Sequence, residues 1–479
     1  VKKLSKLHYR QRFIIIFLIS GFIGLILPDL IKSSPQNENW DQLPVILSRI
    51  VPPTFPANDF LITEFGAIND GKTDCSAAFA QAISAGHEAG GGRVVVPAGS
   101  YLTGPIHLKS HVNLHLRKDA TILFSRDYKK YLPIVLTRFE GIECLNYSPF
   151  IYACDQENIA ITGEGTLDGQ ADNSTWWPWK GIPHYGWQKG TPNQQPDREK
   201  LFNMAEKGVP VPERIFGEGH YLRVSFIQPD RCKNILIEQI TIKRSPMWEI
   251  HPVLCENVTV QNVTISSHGP NNDGCNPESS KDVLIKNCFF DTGDDCIAIK
   301  SGRNADGRRV NIASENIIVQ GCTMKDGHGG VVIGSEISGN CRNVFVEDCV
   351  MDSPNLERAL RIKTNSIRGG IIENIYMRNI KVGEVSDAVI RVFFHYEEGD
   401  VGNFTPVVRN VFISNLTSKK SKYALLLDGY KRSPISDIHL ENCIFDGVKS
   451  GNILQNVSNL NSTDVYINGE MIDFSKILK

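Results

Sequence analysis

The feature that most constrains the fold of this chain is a repeat. An Asn or Asp followed by alternating apolar residues recurs as Asn158-Ile-Ala-Ile, Asn234-Ile-Leu-Ile, Asn257-Val-Thr-Val, Asp282-Val-Leu-Ile, Asn316-Ile-Ile-Val and Asn343-Val-Phe-Val, then as Asn374-Ile-Tyr-Met, Asn410-Val-Phe-Ile, Asp437-Ile-His-Leu and Asp464-Val-Tyr-Ile. From Asn234 onward the starts are 23 (234 to 257) to 36 (374 to 410) residues apart. Alternation is the period of a strand, and no helical period accompanies it, so each unit is a strand-bearing coil. Six residues after the starts stand Ile240, Val263, Cys288, Cys322, Cys349, Ile380, Leu416 and Cys443, all apolar or thiol, and Glu470 breaks the series after Asp464. Stacked parallel coils produce one inward column of this kind, with equivalent positions about 4.8 Å apart. The fold class is therefore all-β, a single-domain parallel β-helix. Asp74 is placed to start a short helix over about 76–87, which would cap the first coil of an otherwise open solenoid. The polar break at Glu470 and the tail to Lys479 are expected to close the other end.

The column also accounts for cysteines. Four of the twelve occupy it, where Cys acts as a small buried hydrophobe. Cys232, Cys255 and Cys341 share a second column, in which stacked neighbours such as Cys232 and Cys255 are close enough to pair. No Cys or His spacing fits zinc.

Flanking regions differ in kind. Lys2, Lys3, Lys6, Arg10 and Arg12 precede an apolar run over 13–27, so residues 1–31 read as a signal peptide or a signal anchor. Residues 32–58, rich in Pro, Ser and Asn, read as a linker, and 59–479 as the β-helix domain. The expectation is an exported protein, periplasmic or extracellular, with a membrane-anchored form available through 13–27. An insertion of about 170–225 separates the Asn158 and Asn234 units. Its Trp176, Trp177, Trp179, His184, Tyr185 and Trp187 are expected to anchor a long loop rather than to stack on a ligand. A net charge of −2 excludes a global pull toward nucleic acid or anionic membranes.

Chemistry concentrates at Asp273, Asp294 and Asp295. Asp273 and Asp294 are 21 residues apart (273 to 294), about one coil, so their side chains should meet on adjacent turns. Close carboxylates repel, and one pKa rises, which divides them into a protonated acid and an ionised base. Two other readings fit the same residues: a calcium site, and Asx-rich turns. His328, Arg361, Lys363, Lys300 and Arg303 add positive charge in nearby coils, and alternation puts Arg361 and Lys363 on one strand face. Acids beside bases suit hydrolysis of an acidic substrate, its carboxylates held by ammonium and guanidinium groups.

Together Asn272-Asp273, Gly293-Asp294-Asp295, Gly327-His328-Gly329 and Arg361-Ile362-Lys363 resemble, in order, the four motifs of the polygalacturonase family (glycoside hydrolase family 28). The similarity spans about 60–467. One departure is Asn271-Asn272-Asp273, where the family's usual motif is Asn-Thr-Asp. The resemblance implies a right-handed β-helix and an inverting hydrolase of α-1,4-galacturonosidic bonds in polygalacturonan or pectin. It implies Asp294 as general acid, Asp273 and Asp295 as the groups activating water, and His328 as a tuning partner of the acid. It further implies Arg361, Lys363, Asn272, Lys300 and Tyr396 as substrate-binding residues. The segment Lys300–Arg309 is similar to bacterial exo-acting members, and it and the insertion would wall off the cleft. The implied partner is a pectic polysaccharide or oligogalacturonide, with no cofactor, metal, nucleic acid or obligatory protein partner, and the chain is expected to act as a monomer. Alternatives are a rhamnogalacturonan or xylogalacturonan hydrolase of the same family, a calcium-dependent pectate lyase, and a non-catalytic pectin-binding β-helix.

Overall fold

The computed structural model describes residues 40–477, so the predicted signal segment and residues 32–39 lie outside the described residues. Strands of successive coils pair in parallel. One row runs through Glu157–Gly163, Lys233–Glu238, Glu256–Gln261, Lys281–Lys286, Ser314–Gln320 and Cys341–Glu347. Another runs through Ile297–Ile299, Val331–Ile333, Arg358–Lys363, Ala388–Phe393 and Tyr423–Asp428. This second row carries the functional site.

The repeated Asn or Asp has a backbone cause. Asn158, Asn234, Asn257, Asp282, Asn316, Asn343, Asn374, Asn410 and Asp437 all adopt left-handed φ, from 52° at Asn158 to 60° at Asn374. Asn and Asp enter that region more readily than other side chains. The amides also bond from coil to coil, for example Asn343 to Asn316 at 3.1 Å and Asn374 to Asn343 at 3.2 Å. Each start is thus both a bend and a rung of a ladder.

The ladder corrects the last repeat. Asp437 receives its rung from Asn459 at 3.0 Å, and the strands align Ile438 with Leu460 and Cys443 with Val465. The final coil starts at Asn459, not at Asp464, and Val465 rather than Glu470 continues the inward column. Asp464 belongs to a second left-handed column five residues on, with Asn379, Asn415 and Asn442. Asn459 escapes notice because Asn461 and Ser462 follow Leu460, where other repeats alternate apolar residues. Ile240, Val263, Cys288, Cys322, Cys349, Ile380, Leu416, Cys443 and Val465 are each at most 2 % exposed, as a core column requires.

Both ends are covered. At the start, the helix Ser76–Glu88 buries Phe79, Ala82 and Ile83, and Asp74 accepts from the Ser76 amide at 2.9 Å. At the end, Glu470–Met471 turns back antiparallel on Val457–Ile467, and Phe474 is fully buried in the short helix Phe474–Ile477. All twelve cysteines are free thiols, Cys232 and Cys255 included, and eleven are buried.

The linker reading fails for its second half. Residues Gln42–Leu47 form a helix whose Leu43 and Ile46 pack with Ile50 on Ile318, Phe345 and Tyr376, outside the solenoid. Arg49 pairs with Asp282 at 2.9 Å, occupying a ladder carboxylate. Ile318, Phe345 and Tyr376 on the outer face of the coils give this segment an apolar surface to cover, and its own Trp40, Leu43, Ile46, Leu47 and Ile50 supply the cover.

Candidate active site

The site lies across the second row of strands, in a cleft with a cavity of about 410 Å³. The bridge between Cys275 and Ile297 sets Asp295 alongside Asp273 on the neighbouring coil, with the Gly274 amide donating to the Asp295 carbonyl at 3.0 Å. Oxygens of Asp273, Asp294 and Asp295 lie within 4.8 Å of one another. Adjacency follows from the spacing between coils, as expected. The same spacing makes these closest approaches tighter than the about 6.5–9.5 Å between the carboxyls of an inverting pair.

Basic groups meet the carboxylates individually. Lys363 Nζ is 2.7 Å and Arg361 Nη1 3.4 Å from Asp295, because alternate residues of Arg358–Lys363 point the same way. His328 Nδ1 is 3.0 Å from Asp294. Lys300 Nζ is 3.7 Å from Asp273 and 3.2 Å from Glu336, and it sits 4.5 Å over the Trp248 ring. The Tyr396 ring is 5.3 Å from Lys363 Nζ and 5.6 Å from Arg361, so it also lines the cleft.

Titration separates the aspartates. Burial pushes the Asp273 carboxyl well above its ordinary range, the Asp294 charge adds to this, and Asp273 Oδ1 has no hydrogen-bond partner. Burial also acts upward on Asp294, but the His328 hydrogen bond and the charges of His328, Lys363 and Lys300 outweigh it and hold Asp294 low. The two carboxyls are thus pushed in opposite directions, Asp273 toward its acid form and Asp294 toward its anion. His328 is raised by its bond to Asp294, against the effect of burial.

Asn272 does not reach the cleft. It is fully buried, donates to the carbonyls of Ser245 (3.1 Å) and Met247 (3.0 Å), and accepts from Ser267 Oγ (2.7 Å) and the Gly269 amide (2.8 Å). With its amide saturated it holds the loop instead of a substrate, and its neighbour Asn271 lines the cavity in its place.

Residues that sequence reasoning missed come from the loops. Glu140 stands at the tip of the hairpin Val135–Phe139/Ile142–Asn146, and Arg198 on the helix Gln195–Glu206 pairs with it at 2.7 Å. Glu336, equally unmarked in the sequence, pairs at 2.8 Å with Arg303, the cation expected there, which leads into the helix Asn304–Val310, whose Asp306 pairs with Arg214 at 2.7 Å. Hairpin and insertion share a small core of their own, including Phe139, Ile142, Leu201 and Phe216, and form a wall of the cleft. Nothing periodic marks these residues. Trp176 is buried, and Trp179 packs edge-on to Tyr128 at 5.3 Å and to Tyr221 at 5.2 Å, so these two tryptophans anchor the insertion, whereas Trp187 bonds within its own loop, to the Thr191 carbonyl at 3.0 Å.

Residues 222–463 match the sequence profile described as Glycosyl hydrolases family 28, and 60–115 match one described as Rhamnogalacturonase A/epimerase, pectate lyase-like. The chain belongs to glycosyl hydrolases family 28. It is 28% identical to a probable polygalacturonase of Vitis vinifera, over 81% of this chain and 74% of that one. To the exo-poly-alpha-D-galacturonosidase of Dickeya chrysanthemi it is 26% identical, over 81% of this chain and 66% of that one. Among solved structures, a hyperthermoactive exopolygalacturonase from Thermotoga maritima superposes with a TM-score of 0.88 at 49% identity, covering 92% of this chain and 97% of that one. The polygalacturonase of Erwinia carotovora ssp. carotovora shares the fold, with a TM-score of 0.63 at 22% identity over 86% of this chain and 98% of that one. The family's right-handed β-helix and its glycoside hydrolase chemistry are thus those of this chain.

Proposed function

We propose that the protein hydrolyses α-1,4-linked galacturonan and works from the chain end. The observation that carries this reading is the aspartate triad flanked by Arg361 and Lys363, carboxylate chemistry set beside groups that bind carboxylates. The wall built by the hairpin, the insertion and the helix Asn304–Val310 supports end-on action, as does 49% identity to the exopolygalacturonase from Thermotoga maritima.

In this mechanism Asp294 is the general acid, since its side chain is 16% exposed against 4% for Asp273 and 1% for Asp295. A uronate carboxylate arriving beside Asp294 adds negative charge and raises its pKa, drawing the proton from Asp273 within the triad. Asp295, held by Lys363 and Arg361, and the deprotonated Asp273 then orient and deprotonate water. Lys363, Lys300 and His328 already supply counter-charge around the carboxylates, so a divalent cation is not needed to assemble them.

A product time course on polygalacturonate, with and without EDTA, tests the assignment. Early release of monomer or dimer, undiminished by EDTA and without the ultraviolet absorbance of unsaturated sugars, is expected. Mixed oligomers at early times would overturn end-on action, and EDTA-sensitive unsaturated products would indicate a lyase. Because the triad is compact, the anomer released first is informative. Inversion at an α-linkage yields the β-anomer, and an initial α-anomer would refute it.

A further inference from the structure

The insertion delivers a charged group into the cleft. Lys180 ends the short turn Trp177–Lys180, which is pinned on both sides. Trp176 packs at 5.4 Å from the Tyr131 ring and 4.9 Å from that of Trp179, and Trp177 Nε1 donates to the Ser245 carbonyl at 2.8 Å. Held there, Lys180 lines the same cavity as the triad, and its Nζ donates to Asn271 Oδ1 at 2.8 Å. Buried Arg223 donates to that same oxygen through Nη2 at 2.7 Å. Asn271 Nδ2 in turn donates to Asp294 Oδ2 at 3.3 Å.

Two cations therefore converge on one neutral carbonyl. The remaining contacts of Arg223 are also neutral, to Gln194 Oε1 and the carbonyls of Pro246 and Pro270. Among the described residues neither Lys180 nor Arg223 has a carboxylate within 4.0 Å. The other basic groups lining the cleft are all paired: Arg198 with Glu140, Lys300 and Arg303 with Glu336, His328 with Asp294, and Arg361 and Lys363 with Asp295. Burial lowers the Lys180 pKa and the Arg223 charge lowers it further, while burial brings Arg223 itself down to about 10. An arriving anion would relieve both effects, since partly desolvated positive charge without a counter-ion is costly.

The two basic stations flank the triad. Lys180 and Asn271 stand on the Asp294 side, whereas Arg361 and Lys363 stand on the Asp295 side, on strand Arg358–Lys363 two coils beyond Ile297–Ile299. A glycan spanning the triad thus meets positive charge on each side of the bond to be cut. We propose that Lys180, backed by Arg223 through Asn271, binds the carboxylate of the uronate on the Asp294 side, as a second acid-selective subsite. This rests on the galacturonan reading above and gives the insertion a role in choosing an unesterified substrate.

The test compares wild type with Lys180→Met and Lys180→Arg on trigalacturonate and on its fully methyl-esterified form. Loss of one charge-assisted contact is expected to raise KM for the acid about 10- to 100-fold in Lys180→Met. The KM effect should exceed the kcat effect, the acid-over-ester preference in kcat/KM should fall, and Lys180→Arg should retain most of it. Unchanged KM for the acid in Lys180→Met, or equal losses on acid and ester, overturns the subsite. Loss of activity in Lys180→Arg to the level of Lys180→Met, with melting temperatures unchanged, overturns it also. A wild-type protein inactive on trigalacturonate overturns the galacturonan reading itself and the subsite with it, an outcome distinct from the others.

Discussion

Replacing Asp294 by Asn separates the acid role from every other role in the triad. The amide keeps the size of the side chain and its contact with Asn271, now 3.3 Å, but it has no proton to give. It also removes the negative charge that helps to raise Asp273, so the Asp273 pKa falls toward its ordinary range. General acid catalysis contributes about 10²- to 10⁴-fold. At about 1.36 kcal/mol per tenfold this is about 2.7–5.4 kcal/mol of barrier. That loss applies in full only where the leaving oxygen must be protonated. On trigalacturonate, Asp294→Asn should therefore lose about 10²- to 10⁴-fold in kcat, the range for one general acid. On an aryl galacturonide with an acidic phenol, which leaves as the anion, the loss should stay below about tenfold. Steady-state kinetics on both substrates, with matched Asp273→Asn and Asp295→Asn variants, provide the measurement. Equal losses on the two substrates would refute Asp294 as the acid. If Asp273→Asn shows the leaving-group contrast instead, Asp273 is the group that protonates the leaving oxygen.

The His328–Asp294 pair makes a pH prediction. His328 is raised above its ordinary value of about 6.5 and Asp294 is lowered below its own of about 3.9, so both are charged between those values. The His328 contribution is complete below about 6.5 and is lost as pH rises through its raised pKa, while that of Asp294 is lost as pH falls through its lowered one. Wild-type kcat/KM should decline on an alkaline limb above about pH 6.5 that is absent from His328→Gln; the same limb in both proteins would exclude His328. Along the ladder, Asn343 has φ of 59° and makes rungs of 3.1 Å and 3.2 Å. Asn343→Ala should destabilise by about 3–4 kcal/mol, from left-handed strain of about 1–2 and two hydrogen bonds of about 1 each. Asn343→Gly, which loses only the rungs, should cost about 2 kcal/mol, and equal denaturation midpoints for the two variants would remove the strain component.

The repeat makes the architecture legible in the sequence. Alternation after Asn or Asp revealed the coils, and the column from Ile240 to Cys443 gave their inward register, because stacking imposes the same environment at each equivalent position. The adjacency of Asp273 with Asp294 and Asp295 and the shared face of Arg361 and Lys363 follow from the same regularity. Where two ladders of Asn and Asp run five residues apart, local pattern was not enough: Asp464 imitated a start that belonged to Asn459. Facing direction also escaped it, since Asn271 and Asn272 are adjacent in sequence yet one lines the cleft and the other is sealed beneath it. Titration depends on the burial and the neighbours of each carboxyl, so only the folded site separates Asp273, pushed up, from Asp294, held low. Lys180, Glu140 and Glu336 reach the cleft, and Arg223 stands behind it, from segments without periodicity, and their convergence is decided by how the insertion packs on the coils. Sequence alone thus determined the solenoid and the order of its chemical groups along it, because repetition writes local geometry into residue type. Tertiary structure decided which faces meet, which charges are neutralised and which are left to bind a ligand, because those depend on contacts between segments that share no local pattern.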